Sequence, residues 1–228
     1  MSAARPPEGA NPLVGGGRAL LRGQGDQFIG QPIERVEDLR LLRGRGRFVD
    51  DIHHDGMVHA SILRSSVPHG RIRRVDTNAA RTMPGVVAIL TAADVAPDGQ
   101  PMPTVPMRLW PLPQLVPFEQ PVIARDKVRY VGEPIAIVVA ETLAQAEDAA
   151  EAIELDIESL EAITGYRKAL ENRPLLIESA GTNVPITYLV KMGDALSLKA
   201  PYTRREVFSS NRHAAVTMEP RGLIATWN

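Results

Sequence analysis

Apolar and polar residues alternate over Met57–Arg64, with Val58, Ala60 and Ile62 on one side. This is the period-two signature of a half-buried strand. Ser65–Gly70 interrupts it with Pro68 and Gly70, and a second short strand is predicted over Arg71–Val75. Asp76 or Thr77 then caps a brief helix through Ala79, Ala80 and Met83, which Pro84-Gly85 ends. Val86–Leu90 reads as a buried strand. Val128–Val131, a tight turn at Gly132-Glu133 and the apolar run Ile135–Ala140 read as a hairpin. Thr142 followed by Gln145 is a capping box. It opens a helix whose Leu143, Ala146, Ala150 and Ile153 share one face, and Leu155–Glu158 closes a β–α–β unit. The pattern predicts an α+β fold: two helices over a small mixed sheet.

The flanks read differently. Residues 1–27 carry Pro6, Pro7, Pro12 and Gly15-Gly16-Gly17 and are expected to form a disordered tail. From Phe28 to Asp51 the chain is basic and glycine-punctuated, with one helical turn over Glu37–Leu42. Residues 96–121 hold eight prolines, which exclude regular helix or central strand. Met102, Met107, Leu109, Trp110, Leu112 and Phe118 make that stretch too apolar for a solvated linker, so a long packed loop is expected. After Leu160, Gly165, Asn172, Pro174, Gly181, Pro185, Gly193 and Pro201 mark an extended connector, and Arg204–Ala214 and Leu223–Trp227 read as strands.

Composition narrows the chemistry. The 228 residues include 26 basic and 27 acidic side chains, a net charge of −1 that gives no general attraction to nucleic acid or anionic membrane. There is no cysteine, so the chain has no thiolate for an iron–sulfur cluster, a disulfide or a nucleophile. No apolar run approaches the roughly 20 residues of a membrane span. No secretory core is present at the N-terminus, and a cytoplasmic location is expected.

Several clusters invite a catalytic reading. Asp50, Asp51, His53, His54 and Asp55 are the densest group of metal-ligand types, but contiguous residues rarely converge on one tetrahedral metal, and a solvated loop explains them. His59 and His69 could pair with Ser65, Ser66 or Asp76, yet nothing like a nucleophile elbow surrounds the serines. Ser65 and Ser66 suit backbone bonds at a strand end. Gly44 and Gly46 among Arg35, Arg40, Arg43, Arg45 and Arg47 lack the strand-to-helix setting of a phosphate loop. Arginine ion pairs with a neighbouring domain are the simpler role. Glu133 and Glu219 each precede a proline, and Glu219 is expected to pair with Arg221 or Arg212. No catalytic, cofactor-binding or metal-ligating residue is assigned.

Five blocks in order carry a resemblance. They are Glu34–Asp38 with Gly44–Asp51; Leu63-Arg64-Ser65 with His69–Ile72; Pro84–Ala88; Val128–Pro134 with Val138-Val139-Ala140; and Asn211-Arg212-His213 with Met218–Gly222. Together they resemble the large, molybdopterin-binding subunit of the molybdenum hydroxylases, the xanthine dehydrogenase, aldehyde oxidase and carbon monoxide dehydrogenase type. The resemblance implies an α/β-hammerhead domain over 28–164. It also implies a connector over 165–228 that holds the first strands of the molybdopterin-binding domain. Met192–Ala200 is a poor version of the helix the family has there. The pterin loops and the glutamate base of the family have no matching positions. The chain is therefore expected to be an N-terminal fragment or split piece, structural and subunit-contacting, inactive alone. Molybdopterin and molybdenum are implied for the complete enzyme, and FAD and iron–sulfur clusters for partner subunits. The alternative is a non-enzymatic assembly module for those flavin or iron–sulfur subunits. The substrate stays open.

Overall fold

The alternation at residues 57–64 becomes the edge of an antiparallel sheet in the structure, a computed structural model that describes residues 32–106, 112–194, 197, 199–211, 213–217, 219 and 221–227. The predicted tail 1–27, together with Met107, Leu109 and Trp110 of the proline-rich stretch, lies outside these residues. So do Ala195, Leu196 and Leu198 of the 192–200 stretch. In chain order the elements are α1 (Asp38–Leu42), β1 (His59–Arg64), β2 (Gly70–Asp76), α2 (Asn78–Arg81), β3 (Val86–Thr91), α3 (Ala92–Val95) and β4 (Thr104–Val105). There follow β5 (Gln120–Pro121), β6 (Lys127–Val128), β7 (Pro134–Ala140), α4 (Leu143–Glu151), β8 (Glu154–Ser159) and α5 (Tyr166–Leu170).

The described chain separates into two units, residues 55–209 and residues 1–54 with 210–228. In the larger unit the strands form two three-stranded antiparallel sheets, β1-β7-β3 and β6-β2-β8, and a ribbon β4-β5. This corrects two sequence expectations. The segments around Gly132-Glu133 are not a hairpin, because β6 pairs with β2 while β7 pairs with β1 and β3. Nor do β7, α4 and β8 make a β–α–β unit, since β8 joins β2 in the other sheet. Gly132 has the positive φ that a tight turn calls for, 94°, but it serves a corner between sheets. Local pattern sets which residues are extended, whereas pairing is chosen by distant strands.

Two cores meet at β7. Ala136, Val138 and Ala140 face α4 and pack with Ile89, Ala80, Ala146, Ala149 and Ala150. Ile135 belongs to the second core, with Ala124 and Val128 under Ile72, Leu155 and Ile157. The alanines of α4 allow close approach of helix to sheet, and Thr142 Oγ1 accepts the Gln145 amide at 3.3 Å to start the helix. The buried face of α4 holds Ala149 but not Leu143, which is 49% exposed at the helix start. Gln145 does not reach back to the cap backbone; its Oε1 accepts the Thr142 hydroxyl at 2.8 Å. Of Asp76 and Thr77, Thr77 takes the cap position of α2 without a side-chain bond, and the Asp76 carboxylate accepts the Asn78 amide at 2.9 Å.

Further along this unit α5 stands where only connector was expected, and its side chains are largely exposed. Among the described residues of 182–209 there is no strand. In the smaller unit α1 and a 3-10 turn over Val49–Asp51 hold the basic arm. Glu219 accepts the Val49 amide at 3.3 Å, and Gly222 lies against Val49 so closely that a Cβ there would meet Cγ1 at 2.6 Å. The strands expected over Arg204–Ala214 and Leu223–Trp227 are absent among the described residues. A strand needs a hydrogen-bonded neighbour, and none is present beside these segments.

Candidate functional site: a buried polar corner

Among the described residues three polar side chains are buried: Ser65, His69 and Glu133, at 3%, 3% and 0% exposure. The topology gathers Ser65 and Glu133 where β1 ends and β7 begins, and sets His69 directly before β2. The Ser65 amide donates to the Glu133 carbonyl at 2.9 Å, and the Gly132 amide donates to the Ser65 carbonyl at 2.7 Å. Arg64 adds a guanidinium bond to the Gly132 carbonyl at 2.8 Å. The corner is thus stitched by backbone on both sides, which Gly132 permits through its positive φ.

None of the three side chains is placed for acid–base or nucleophilic work on another. Ser65 Oγ donates to the Val67 carbonyl at 2.8 Å and accepts the Val67 amide at 3.0 Å, a local turn of the kind its strand-end position predicts. His69 Nδ1 bonds the Glu161 carbonyl at 2.7 Å, while its Nε2 is buried without a partner. The Glu133 carboxylate accepts the Arg129 amide, and its other oxygen faces the Arg129 guanidinium at 3.4 Å. Burial pushes the Glu133 carboxyl above its ordinary range, against the pull of the Arg129 amide and guanidinium. Partial desolvation, with the Glu133 charge nearby, raises the Tyr130 phenol, and Arg64 partly offsets it.

The Arg129–Glu133 pair was not assigned from sequence; Arg and Glu four apart signal a pair in a helix, and here the chain is a corner. Arg125 was missed as well, and it donates to the Ala92 carbonyl at 3.2 Å and to the Ala96 carbonyl, closing the end of α3. The other candidates scatter. Among the described residues no group of three or more His, Asp or Glu side chains is arranged around a common point. His53, His54 and Asp55 are exposed, and Asp51 accepts the Phe48 amide at 2.9 Å. His59 is half-buried in β1. Arg35 and Arg40 pair locally with Asp38 and Glu37, at 3.9 and 2.7 Å. Glu219 takes a backbone amide, and Arg212 lies outside the described residues.

A sign follows for pH. The folded chain binds the Glu133 proton more tightly than the unfolded chain does, so the stabilising form is the protonated one. That contribution is complete below the unfolded value, about 4.3, and is lost as pH rises through the raised folded value. Wild type should therefore gain melting temperature relative to Glu133→Gln as pH is lowered from neutral into the acid range. The opposite slope would show that Arg129 holds the carboxylate ionised. Glu133→Ala should cost about 1–3 kcal/mol, more in the acid range than at neutral pH, because the Arg129 amide loses its buried acceptor.

Two three-stranded antiparallel sheets that meet at a buried polar corner, one of them covered by α4, define an α+β domain. Residues 43–161 match the family described as aldehyde oxidase and xanthine dehydrogenase, a/b hammerhead domain, and the chain belongs to that family. It is 37% identical over 202 residues to the nicotine 6-hydroxylase large subunit of Paenarthrobacter nicotinovorans, covering 87% of this chain and 24% of that one. It is 34% identical over 153 residues to the xanthine dehydrogenase molybdenum-binding subunit of Escherichia coli O157:H7, covering 64% of this chain and 19% of that one. Among solved structures, carbon monoxide dehydrogenase from Oligotropha carboxidovorans matches at 39% identity with a TM-score of 0.51, over 63% of this chain and 17% of that one. The chain thus spans about a quarter or less of the length of these relatives, which are oxidoreductase subunits by name. No helix among the described residues is long and apolar enough to cross a membrane.

Proposed function

We propose that this chain supplies the hammerhead domain of a molybdenum hydroxylase large subunit, and that it scaffolds and contacts the parts that do the chemistry. The observation that carries this reading is the run Tyr188-Leu189-Val190-Lys191-Met192. Its apolar side chains are 64–94% exposed, on chain without secondary structure. Such a run is β-prone and unsheltered, which suits chain made to be covered by further protein.

A molybdenum–pterin group would supply hydroxylation chemistry in the complete enzyme. The described residues of this chain do not fit it. They offer no converging His, Asp and Glu set and no cysteine, and the buried His69 Nε2 stands alone. We infer that residues elsewhere in the large subunit hold the group. Flavin and iron–sulfur subunits are the natural electron acceptors for that chemistry, and a cytoplasmic setting accords with them.

The test is elemental and pterin analysis of the purified chain, alone and co-expressed with the rest of a large subunit. Molybdenum is expected at background in the first and bound in the second. Stoichiometric molybdenum in the chain alone would sink the proposal.

A further inference from the structure

Among the described residues of the larger unit, the sheet β1-β7-β3 is covered on one side only. Successive side chains of a strand point to opposite faces, and Ala136, Val138 and Ala140 occupy the side under α4. The register lays out the other side in two rows, Ile62–Ile137–Leu90 and Ala60–Val139–Ala88. Every one of these residues is apolar. Ile62 and Leu90 are each 39% exposed, Ala60 is exposed, and Ile137 and Val139 are only half-buried. Beside the bulge in β3, Val87 is 60% exposed. The nearest charged residues along these strands, Arg64 and Glu141, stand at the two ends of the sheet.

A sheet with one solvated face normally alternates apolar and polar residues. Here the face away from α4 is apolar across all three strands, as in a sheet covered on both sides. We infer that this open face is a docking surface for an apolar face of the same large subunit, drawn from the part beyond the quarter that this chain matches. The inference rests on the scaffold reading above and adds the surface through which it acts.

Size selects the occupant. Three strands about 4.8 Å apart, over five residues of about 3.3 Å each, cover roughly 250 Å². That is about a third of the ~800 Å² per partner that a stable interface between separate proteins buries. A second copy of the chain would gain too little from this face. A segment of the same polypeptide is held nearby by its tether, so a small apolar face suffices. The relatives have that segment to give: the matched part is 24% of the nicotine 6-hydroxylase large subunit and 19% of the xanthine dehydrogenase subunit.

The absence of native cysteine makes the test direct. Single Ile62→Cys, Val87→Cys, Val190→Cys and Glu147→Cys variants are made in the full chain, and also in a joined polypeptide. In the latter the chain replaces the 202 matched residues of the nicotine 6-hydroxylase large subunit. Maleimide labelling at each position is followed by peptide mass spectrometry. In the full chain alone all four positions should label quickly. In the joined polypeptide, labelling at Ile62→Cys and Val87→Cys should fall at least tenfold, while Glu147→Cys on the exposed side of α4 stays fast. Fast labelling at positions 62 and 87 with shielding at position 190 would overturn the docking surface and leave the scaffold reading intact. Fast labelling at all positions in the joined polypeptide would overturn both. Labelling at positions 62 and 87 in the chain alone that slows with concentration, with a doubled mass in solution, would make a second copy the occupant and overturn the assignment.

Discussion

Gly70→Val is expected to cost about 3 kcal/mol, the upper end of what overpacking usually costs, and at this chain length to lower the melting temperature by roughly 10 °C. Gly70 is the first residue of the central strand β2, paired to Val128 on one side and Ser159 on the other. A Cβ there would sit 2.4 Å from Ile157 Cγ2, 2.9 Å from the Glu158 carbonyl oxygen and 3.2 Å from Val67 Cγ1. The Ile157 methyl could turn away. The Glu158 carbonyl has no such freedom, because β8 is held to β2 along its length. Relief would open the β2–β8 ladder and disturb the core that holds Val128 and Ile135. Gly132 makes the useful contrast. Its φ is 94° but no atom lies within 4 Å of a built Cβ, so Gly132→Val brings only backbone strain, about 1–3 kcal/mol. Chemical denaturation of both variants should rank Gly70→Val as the more damaging. The reverse ranking would mean that β8 yields easily and that the corner is the more constrained point.

Those two glycines mark what the sequence could and could not convey. The need for a positive φ at Gly132 is a local property and was readable from the tight turn between apolar runs. The crowding at Gly70 comes from a strand almost ninety residues later and leaves no local trace. The same division runs through the fold. Elements with their own period or cap, such as β1, β3 and α4, were legible within a residue or two, because alternation and capping act over four to eight residues. The assignment of β6 and β7 to different sheets was not. β6 is a two-residue strand, and the continuous apolar run of β7 reads the same whether one core lies beside it or two. Leu143 was misplaced and Ala149 overlooked because a helical wheel gives a stripe, while the depth of each position depends on how far the helix end projects beyond the sheet. At the corner, Ser65 was read correctly as a backbone-bonding strand end. The complete burial of Glu133 follows from the meeting of two sheets that the pattern does not encode. α5 escaped notice because five residues are too few for a period to show, and Gly165 gives it no side-chain cap.

Hydrogen exchange should divide the larger unit into a slow part and a fast part that differ by several orders of magnitude. β7 is the central strand of its sheet, hydrogen-bonded to β1 and β3, with Ile135, Ala136, Val138 and Ala140 at 0–1% exposure. Amides there open only with the whole domain. A global stability of about 5–10 kcal/mol would slow them by roughly 10⁴–10⁷ over unprotected chain. Tyr188–Met192 and Arg204–Phe208 have no strand partner, and Leu189, Val190 and Phe208 are 90–91% exposed. Their amides should exchange near the rate of an unstructured peptide in the chain alone. Unsheltered residues of this kind also adhere, so the chain should associate at high concentration unless further protein covers them. Joining the remainder of a large subunit should then slow exchange at Tyr188–Met192 while leaving β7 unchanged, because only the first gains a partner. Equal protection of both segments in a monomer would show that Tyr188–Met192 already has its neighbours within this chain, and the scaffold reading would lose the observation that carries it.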